Sequence, residues 1–157
     1  LSGITIDTKG FSFKTGVRTF EAASYLRKAG ADTTSIRQHF KDDFNTFTAK
    51  ADVVKSAERR PDGIAIAVCP AGTENAQVIA AQAADTLVSI TGINTSFVFS
   101  TQDDNVLISG RSIGGQNVQL ILESLGGGGH ATIAGARLEK TTLEDAKKQL
   151  LEKLKEL

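Results

Sequence analysis

The sequence predicts an α/β protein whose larger part packs helices against a mixed sheet. Residues 64–69 form a short, unbroken apolar run, which is typical of a buried strand. Residues 94–101 and 106–112 are two more strand-like segments, and the turn-forming sequence Asp-Asp-Asn at 103–105 joins them. Between such segments, apolar residues recur at helical spacing. Strands and helices that alternate in this way indicate a compact α/β domain.

The first third of the chain has a different pattern. The β-branched residues at 4–6 predict a short strand. Residues 20–29 predict a helix, and Asp32 is placed to cap a second, shorter helix. A long amphipathic helix follows over residues 42–62 and ends in the sequence Pro-Asp-Gly, where the composition changes. We therefore place a domain boundary in this helix or at its end.

The remaining elements follow in order after the buried strand. Residues 74–90 predict a helix with one apolar face, and Asn117 is placed to cap another helix after the two paired strands. Residues 136–139 predict a last strand. Thr141 starts a capping-box pattern for the final helix. The predicted order in this domain is β-α-β-β-α-β-α.

The composition excludes several classes of protein. The 157 residues include 18 Lys+Arg and 18 Asp+Glu, so the basic excess that non-specific DNA binding requires is missing. No apolar run approaches the roughly 20 residues of a membrane-spanning helix. The single cysteine, Cys69, cannot form an internal disulfide and suits a reducing, cytosolic compartment. We predict no DNA partner and no membrane contact, and the absence of methionine leads us to expect a piece of a longer protein.

The strongest local signal is the run of four glycines at 126–129 that ends in His130. Glycines leave backbone N–H groups uncovered, and such groups can form an anion-binding concavity. His130 adds a donor that can carry charge near neutral pH. A phosphate is therefore the natural ligand for this run. The alternative interpretation is a flexible connector between a helix and the last strand.

Other candidate residues carry weaker signals. Arg111 stands at the end of a predicted strand, where its planar guanidinium could bind a phosphate with two hydrogen bonds or could simply be solvated. Asp7 is a possible ligand for a hard divalent cation, although no second ligand is near it in sequence. We interpret His39 as a surface residue and Cys69 as a small core residue.

Motifs over nearly the whole chain point to one enzyme family. Residues 3–9 are Gly-Ile-Thr-Ile-Asp-Thr-Lys, and residues 15–23 are Thr-Gly-Val-Arg-Thr-Phe-Glu-Ala-Ala. Later motifs are Gln-Ala-Ala-Asp (82–85), Ser-Gly-Arg-Ser (109–112), Asn-Val-Gln (117–119) and Gly-Gly-Gly-Gly-His (126–130). The first two motifs resemble the end of the catalytic DHH domain in GdpP-type cyclic-di-AMP phosphodiesterases. The later motifs resemble the DHH-associated domain of the same enzymes.

The resemblance implies a chain in three parts. These are the C-terminal remnant of a DHH lobe at 1–41, a linker helix at 42–62, and a DHH-associated α/β domain with a mixed sheet at 63–157. It also implies an active site in the cleft between two lobes, where two manganese ions activate a water that attacks a phosphodiester. The resemblance also implies a parent protein that is anchored in the membrane with this part in the cytosol and that forms a homodimer.

Residue roles follow from the resemblance, motif by motif. Asp7 resembles the last metal-binding aspartate of the family. The implied substrate-binding set comprises Arg111, Asn117, Gly127, Gly128, Gly129 and His130. The implied substrate is cyclic-di-AMP or a short linear dinucleotide.

Two departures from the family pattern keep other functions open. The Asp-His-His motif is absent, so we expect no hydrolysis of cyclic-di-AMP to linear pApA by this chain alone. Residues 133–135 are Ile-Ala-Gly where the group is expected to have Asn-Ala-Ala. The alternatives are a nano-RNase or 3′-phosphoadenosine phosphatase of the same superfamily, and a nucleotide-binding module without catalysis. An RNA-binding domain is disfavoured by the zero net charge and the few aromatic residues.

Overall fold

The computed structural model describes residues 1–13 and 15–156. The chain divides into two compact units, Leu1–Asp43 and Phe44–Leu157. The assignment of residues 1–41, 42–62 and 63–157 to three functional parts stays a prediction.

The described residues of the first unit form three helices, α1 (Ser2–Asp7), α2 (Val17–Lys28) and α3 (Thr33–His39). The predicted strand at 4–6 is wrong, because this segment forms α1. The Thr5 amide donates to the Leu1 carbonyl at 3.0 Å, and the Thr8 hydroxyl donates to the Ile4 carbonyl at 2.6 Å. Both are bonds to the residue four positions earlier, so the local hydrogen bonds outweigh the β preference of the branched side chains.

The other two helices of this unit agree better with the sequence. The helix predicted from residue 20 begins three residues earlier, at Val17. The Asp32 side chain accepts hydrogen bonds from the Thr34 and Ser35 amides at the start of α3, as predicted. The Ser35 hydroxyl and amide hold the pKa of Asp32 below its usual value. The Phe11 and Phe20 rings stack with their centroids 5.5 Å apart.

The second unit is a six-stranded mixed sheet with helices on both faces, which confirms the predicted fold class. Its elements are α4 (Phe44–Lys55), β1 (Glu58–Arg59), β2 (Ile64–Val68), α5 (Ala76–Leu87), β3 (Thr95–Gln102), β4 (Asn105–Ser112), α6 (Val118–Glu123), β5 (Gly128–His130), β6 (Ile133–Leu138) and α7 (Leu143–Lys153). The strand order is β1-β2-β3-β4-β6-β5, and only β2 and β3 run parallel.

Two cores cover opposite faces of this sheet. On one face, α6 and α7 bury apolar residues such as Phe97, Phe99 and Leu122. On the other face, α5 packs over β2 and β3, with α4 beside it, and buries residues such as Val98. The Ser96 hydroxyl donates to the Ala84 carbonyl of α5 at 2.8 Å and ties this helix to the sheet. On this second face, β5 and β6 keep exposed residues.

Several predicted boundaries are corrected. The amphipathic helix of 42–62 ends at Lys55, since residues 58–59 pair with β2 as the strand β1. The last helix is capped by Thr142 rather than Thr141, because the Thr142 hydroxyl accepts from the Asp145 amide at 3.1 Å. The turn between β3 and β4 is confirmed, and Asp103 there has a φ of 53°.

Candidate functional site

The sheet register brings Arg111 and His130 onto one transverse row. Arg111 on β4 pairs with Ile133 on β6, and Ile133 pairs with His130 on β5. Neighbouring strands lie about 4.8 Å apart, so the two Cα atoms are about 10 Å apart. Residues that pair directly project from the same face of a sheet. Arg111 and His130 are therefore on the same face, although 18 intervening residues separate them in sequence.

The neighbouring row has almost no side chains. Ser109 on β4 pairs with Gly135 on β6, which pairs with Gly128 on β5. Both glycines are exposed. Ser109 and Gly135 of this row line a cavity of about 320 Å³ together with residues such as Gln77 and Arg137. A ligand can therefore approach the backbone of β5 and β6 beside Arg111 and His130. We call the surface formed by these two rows the open face.

Arg111 is held in place by contacts to a helix and to its own strand. Its Nε lies 3.2 Å from Oδ1 of Asp85 on α5, and its Nη1 donates to the Gly110 carbonyl at 2.9 Å. The Nε–H is not aligned for a hydrogen bond, so the contact with Asp85 is an ion pair. The Arg111 side chain is only 13% exposed. The structure thus rejects the interpretation of Arg111 as an ordinary solvated surface residue.

The four glycines have different structural roles. Gly126 has a φ of +80° just after α6, a conformation that favours glycine at a helix end. Cβ atoms at Gly127 and Gly129 would lie 2.2 Å from the Gly135 carbonyl oxygen and 2.4 Å from the Ile133 carbonyl oxygen. A Cβ at Gly128 would meet nothing within 4 Å. The alternative interpretation as a flexible connector is wrong for residues 128–130, which form the edge strand β5. Gly128 is the glycine of that strand whose face is open.

His130 is exposed, but backbone hydrogen bonds hold the turn that follows it. The Val118 amide donates to the Ala131 carbonyl at 3.1 Å, and the Ser112 amide donates to the Thr132 carbonyl at 2.9 Å. These two bonds join the β5–β6 turn to the start of α6 and the end of β4. The backbone around His130 is therefore positioned by the domain itself.

Asn117 caps α6, as the sequence predicts. Its Oδ1 accepts hydrogen bonds from the Gln119 amide at 3.1 Å and the Leu120 amide at 3.4 Å. The side-chain oxygen is thereby engaged in the fold. A role for Asn117 in holding substrate stays a prediction.

Replacement of Asn117 by alanine separates these two roles. We expect Asn117→Ala to lower the free energy of unfolding by about 0.5–2 kcal/mol, the cost of losing a helix cap. Urea denaturation measures this effect, with Asn117→Asp as the variant that keeps the cap. An Asn117→Ala variant of unchanged stability would contradict the capping role.

The described residues do not form a metal site by themselves. Asp7 is exposed at the end of α1. Within residues 1–13 and 15–156, no three His, Cys, Asp or Glu side chains come together as a group that could hold a metal ion. Asp7 as a metal ligand stays a prediction, and no chemical step through a metal is derived from this chain.

The two remaining candidates have the predicted structural roles. His39 is exposed on α3. Cys69 is 2% exposed among the residues packed against α5, and burial raises the pKa of its thiol. Neither residue lies on the open face.

Sequence reasoning missed the ion-pair partner of Arg111 and two residues that line the cavity beside the open face. Asp85 lies within the motif at 82–85, but its distance from Arg111 in sequence hides their contact. Arg137 and Gln77 line the cavity without any motif to mark them. An acidic residue on the flank of a helix that packs near a strand-end arginine is a signal that could have identified Asp85.

Together, the fold and the open face define a mixed α/β domain with a candidate anion-binding surface. The DHHA1 domain family matches residues 62–157, and the chain belongs to this family.

Curated relatives match nearly the whole chain. It is 50% identical over 152 residues to cyclic-di-AMP phosphodiesterase PdeA of Listeria monocytogenes, with 96% of this chain and 23% of PdeA covered. It is 44% identical over 153 residues to cyclic-di-AMP phosphodiesterase GdpP of Geobacillus thermodenitrificans, with 97% of this chain and 23% of that protein covered. The chain thus spans about a quarter of the length of these relatives.

A solved structure shows the same fold. The exopolyphosphatase-related protein of Bacteroides fragilis superposes with a TM-score of 0.84 at 20% identity, and the match covers 98% of this chain and 47% of that one. Separately, no helix in the described part of the chain combines the length and the apolar character needed to cross a bilayer.

Proposed function

We propose that this chain is the substrate-binding part of a phosphodiesterase that hydrolyses cyclic-di-AMP to linear pApA. The observation that carries the proposal is the shared row of Arg111 and His130 on the open face. Relatives that are 42–50% identical over nearly the whole chain bear the names of cyclic-di-AMP phosphodiesterases. Since the chain is about a quarter of their length, the activity is proposed for the parent protein and not for the chain alone.

Each residue of the open face has a distinct proposed role toward a phosphate. Arg111 provides a charged donor that the domain has already oriented. His130 provides a second donor on the same row. Gly128 lies on β5, the edge strand, whose outer backbone N–H groups the sheet does not use. This arrangement orients a phosphodiester against a flat surface with few side chains. Gly127 and Gly129, which belong to the proposed substrate-binding set, let the chain lie close to β6.

Metal chemistry is proposed for the parent protein. DHH-family phosphodiesterases are generally metal-dependent, and the resemblance supports two manganese ions as the particular cofactor. Asp7 would contribute one carboxylate, and the other ligands would come from residues outside this chain. Bound metal would supply an activated water, while this chain binds and orients the phosphate.

Further proposals about the parent protein rest on the same resemblance. They are membrane anchoring with this part in the cytosol, homodimer formation, and the absence of DNA as a partner. Asn117 is included in the proposed substrate-binding set because its motif precedes α6 beside the β5–β6 turn.

Calorimetric titration of the chain in metal-free buffer tests the proposal. We expect saturable binding of cyclic-di-AMP, and weaker binding of a short RNA that lacks the cyclic phosphodiester. Linear pApA in a parallel titration measures the affinity for the product. A flat isotherm for cyclic-di-AMP would contradict the proposal, and tighter binding of the short RNA would favour a nano-RNase of the same superfamily.

A further inference from the structure

The contact between Arg111 and Asp85 bears on the charge of the phosphate that the open face accepts. We propose that Asp85 adapts the Arg111 subsite to singly charged phosphodiesters, by removing the advantage that a doubly charged phosphomonoester would otherwise have beside an arginine. This inference rests on the proposed function, in which Arg111 binds a phosphate of the substrate.

The geometry allows Arg111 to contact Asp85 and a ligand at the same time. Asp85 lies 3.2 Å from Nε, and Nη1 donates to the Gly110 carbonyl. Within residues 1–13 and 15–156, Nη2 has no hydrogen-bond partner. The guanidinium thus keeps Nη2 as a donor for a phosphate oxygen while Asp85 stays near Nε. A ligand need not displace the carboxylate to bind.

The carboxylate of Asp85 offsets part of the charge of Arg111 before any ligand arrives. Arg111 contributes one positive charge and Asp85 one negative charge. Only 13% of the Arg111 side chain and 36% of the Asp85 side chain are exposed, so water screens the pair incompletely. A phosphate that binds at Nη2 is attracted by Arg111 and repelled by Asp85. Each additional negative charge on the phosphate increases both effects, so the gain from a second charge is reduced.

Other charged groups on the open face are farther from the subsite. His130 shares the row of Arg111, two strands away. Arg137 lies four residues beyond Ile133 on β6, a distance of about 13 Å along the strand. On α5, the residue one turn before Asp85 is Gln82, which carries no charge. Asp85 is therefore the carboxylate in direct contact with the guanidinium that would bind the phosphate.

This selectivity has a consequence for the proposed reaction. Hydrolysis of one phosphodiester of a cyclic dinucleotide produces a terminal phosphate, whose second proton has a pKa of about 6. The substrate phosphate is singly charged and the product phosphate is mostly doubly charged at neutral pH. A subsite without a preference for the second charge would not retain the product at Arg111.

The test uses two ligands that differ in one methyl group. AMP has a doubly charged phosphate at pH 8, and its 5′-methyl ester has a singly charged one. Each ligand is titrated into the ¹⁵N-labelled chain in metal-free buffer, and amide chemical shifts report the two dissociation constants. We expect Asp85→Asn to increase the affinity for AMP relative to the methyl ester by about three- to tenfold.

Two variants control for the change of charge. Asp104→Asn removes the same charge from the exposed β3–β4 turn and is expected to leave the ratio of affinities unchanged. Asp85→Glu keeps the charge and is expected to retain most of the wild-type ratio. If Asp85→Asn has a lowered melting temperature, Asp85→Ser is the second variant, because it removes the same charge with a smaller side chain.

The outcomes separate this inference from the proposed function. If the wild-type chain binds both ligands and Asp85→Asn leaves their ratio unchanged, the inference fails and the proposed function stands. An equal change of ratio in Asp104→Asn would show a general effect of net charge and would also overturn the inference. If the wild-type chain binds neither these ligands nor cyclic-di-AMP, both proposals fail.

Discussion

Replacing Gly127 by alanine is expected to destabilise the second unit severely. The new Cβ would lie 2.2 Å from the Gly135 carbonyl oxygen and 2.7 Å from the Ala136 Cα. Both atoms belong to the backbone of β6, which is hydrogen-bonded to β4 and β5 on its two sides and cannot move aside cheaply. We expect a loss of about 3 kcal/mol, the upper end of the usual cost of overpacking, measured by urea denaturation.

Gly128→Ala is the matched control for this prediction. The same methyl group at Gly128 meets nothing within 4 Å. We expect the free energy of unfolding to change by less than about 0.5 kcal/mol. If phosphate approaches β5 at this position, affinity for cyclic-di-AMP should fall while stability stays constant. Equal stability of the Gly127→Ala and Gly128→Ala variants would show that the close contact between Gly127 and β6 is not as described.

Replacing Arg111 is expected to cause the largest loss of ligand affinity. Arg111→Ala removes the charged donor on the open face, and hydrogen bonds to charged groups contribute about 1–3 kcal/mol. The dissociation constant for cyclic-di-AMP should therefore rise by roughly 5- to 150-fold, measured by calorimetry. Arg111→Lys keeps the charge but cannot preserve the contacts to both Asp85 and Gly110, so we expect an intermediate loss.

A loss of affinity in Arg111→Ala must be distinguished from a loss of stability. The Arg111 side chain is largely buried and paired with Asp85, so its truncation also removes packing. The melting temperature of Arg111→Ala must therefore be measured alongside its affinity. Lys148→Ala on α7, the helix on the opposite face of the sheet, is expected to change neither quantity. A clear loss of stability with unchanged affinity would show that Arg111 serves the fold alone.

The elements that the sequence predicted well are those with strong local signals. The buried run at 64–69 and the pair of strands around residues 103–105 appear as β2, β3 and β4. Asp32 and Asn117 cap their helices as predicted, because a cap depends on residues within one turn. These patterns need no knowledge of what packs against them.

The elements that the sequence missed depend on distant partners. The strands β1 and β5 have only two and three residues, and their composition is charged or glycine-rich. Each is a strand because it pairs with a longer neighbour, β2 or β6. The segment at 4–6 shows the reverse case, since its β preference yields to hydrogen bonds within α1.

The sequence by itself determined the α/β class, the caps and turns, and the residues that resemble a phosphate-binding set. The tertiary structure decided which of these residues share a surface. Pairing through Ile133 places Arg111 and His130 on one row, and close contact with β6 distinguishes Gly127 and Gly129 from Gly128. It also placed Asp85 against Arg111. The physical reason is that caps and turns depend on neighbours along the chain, whereas strand register and ion pairs depend on neighbours in space.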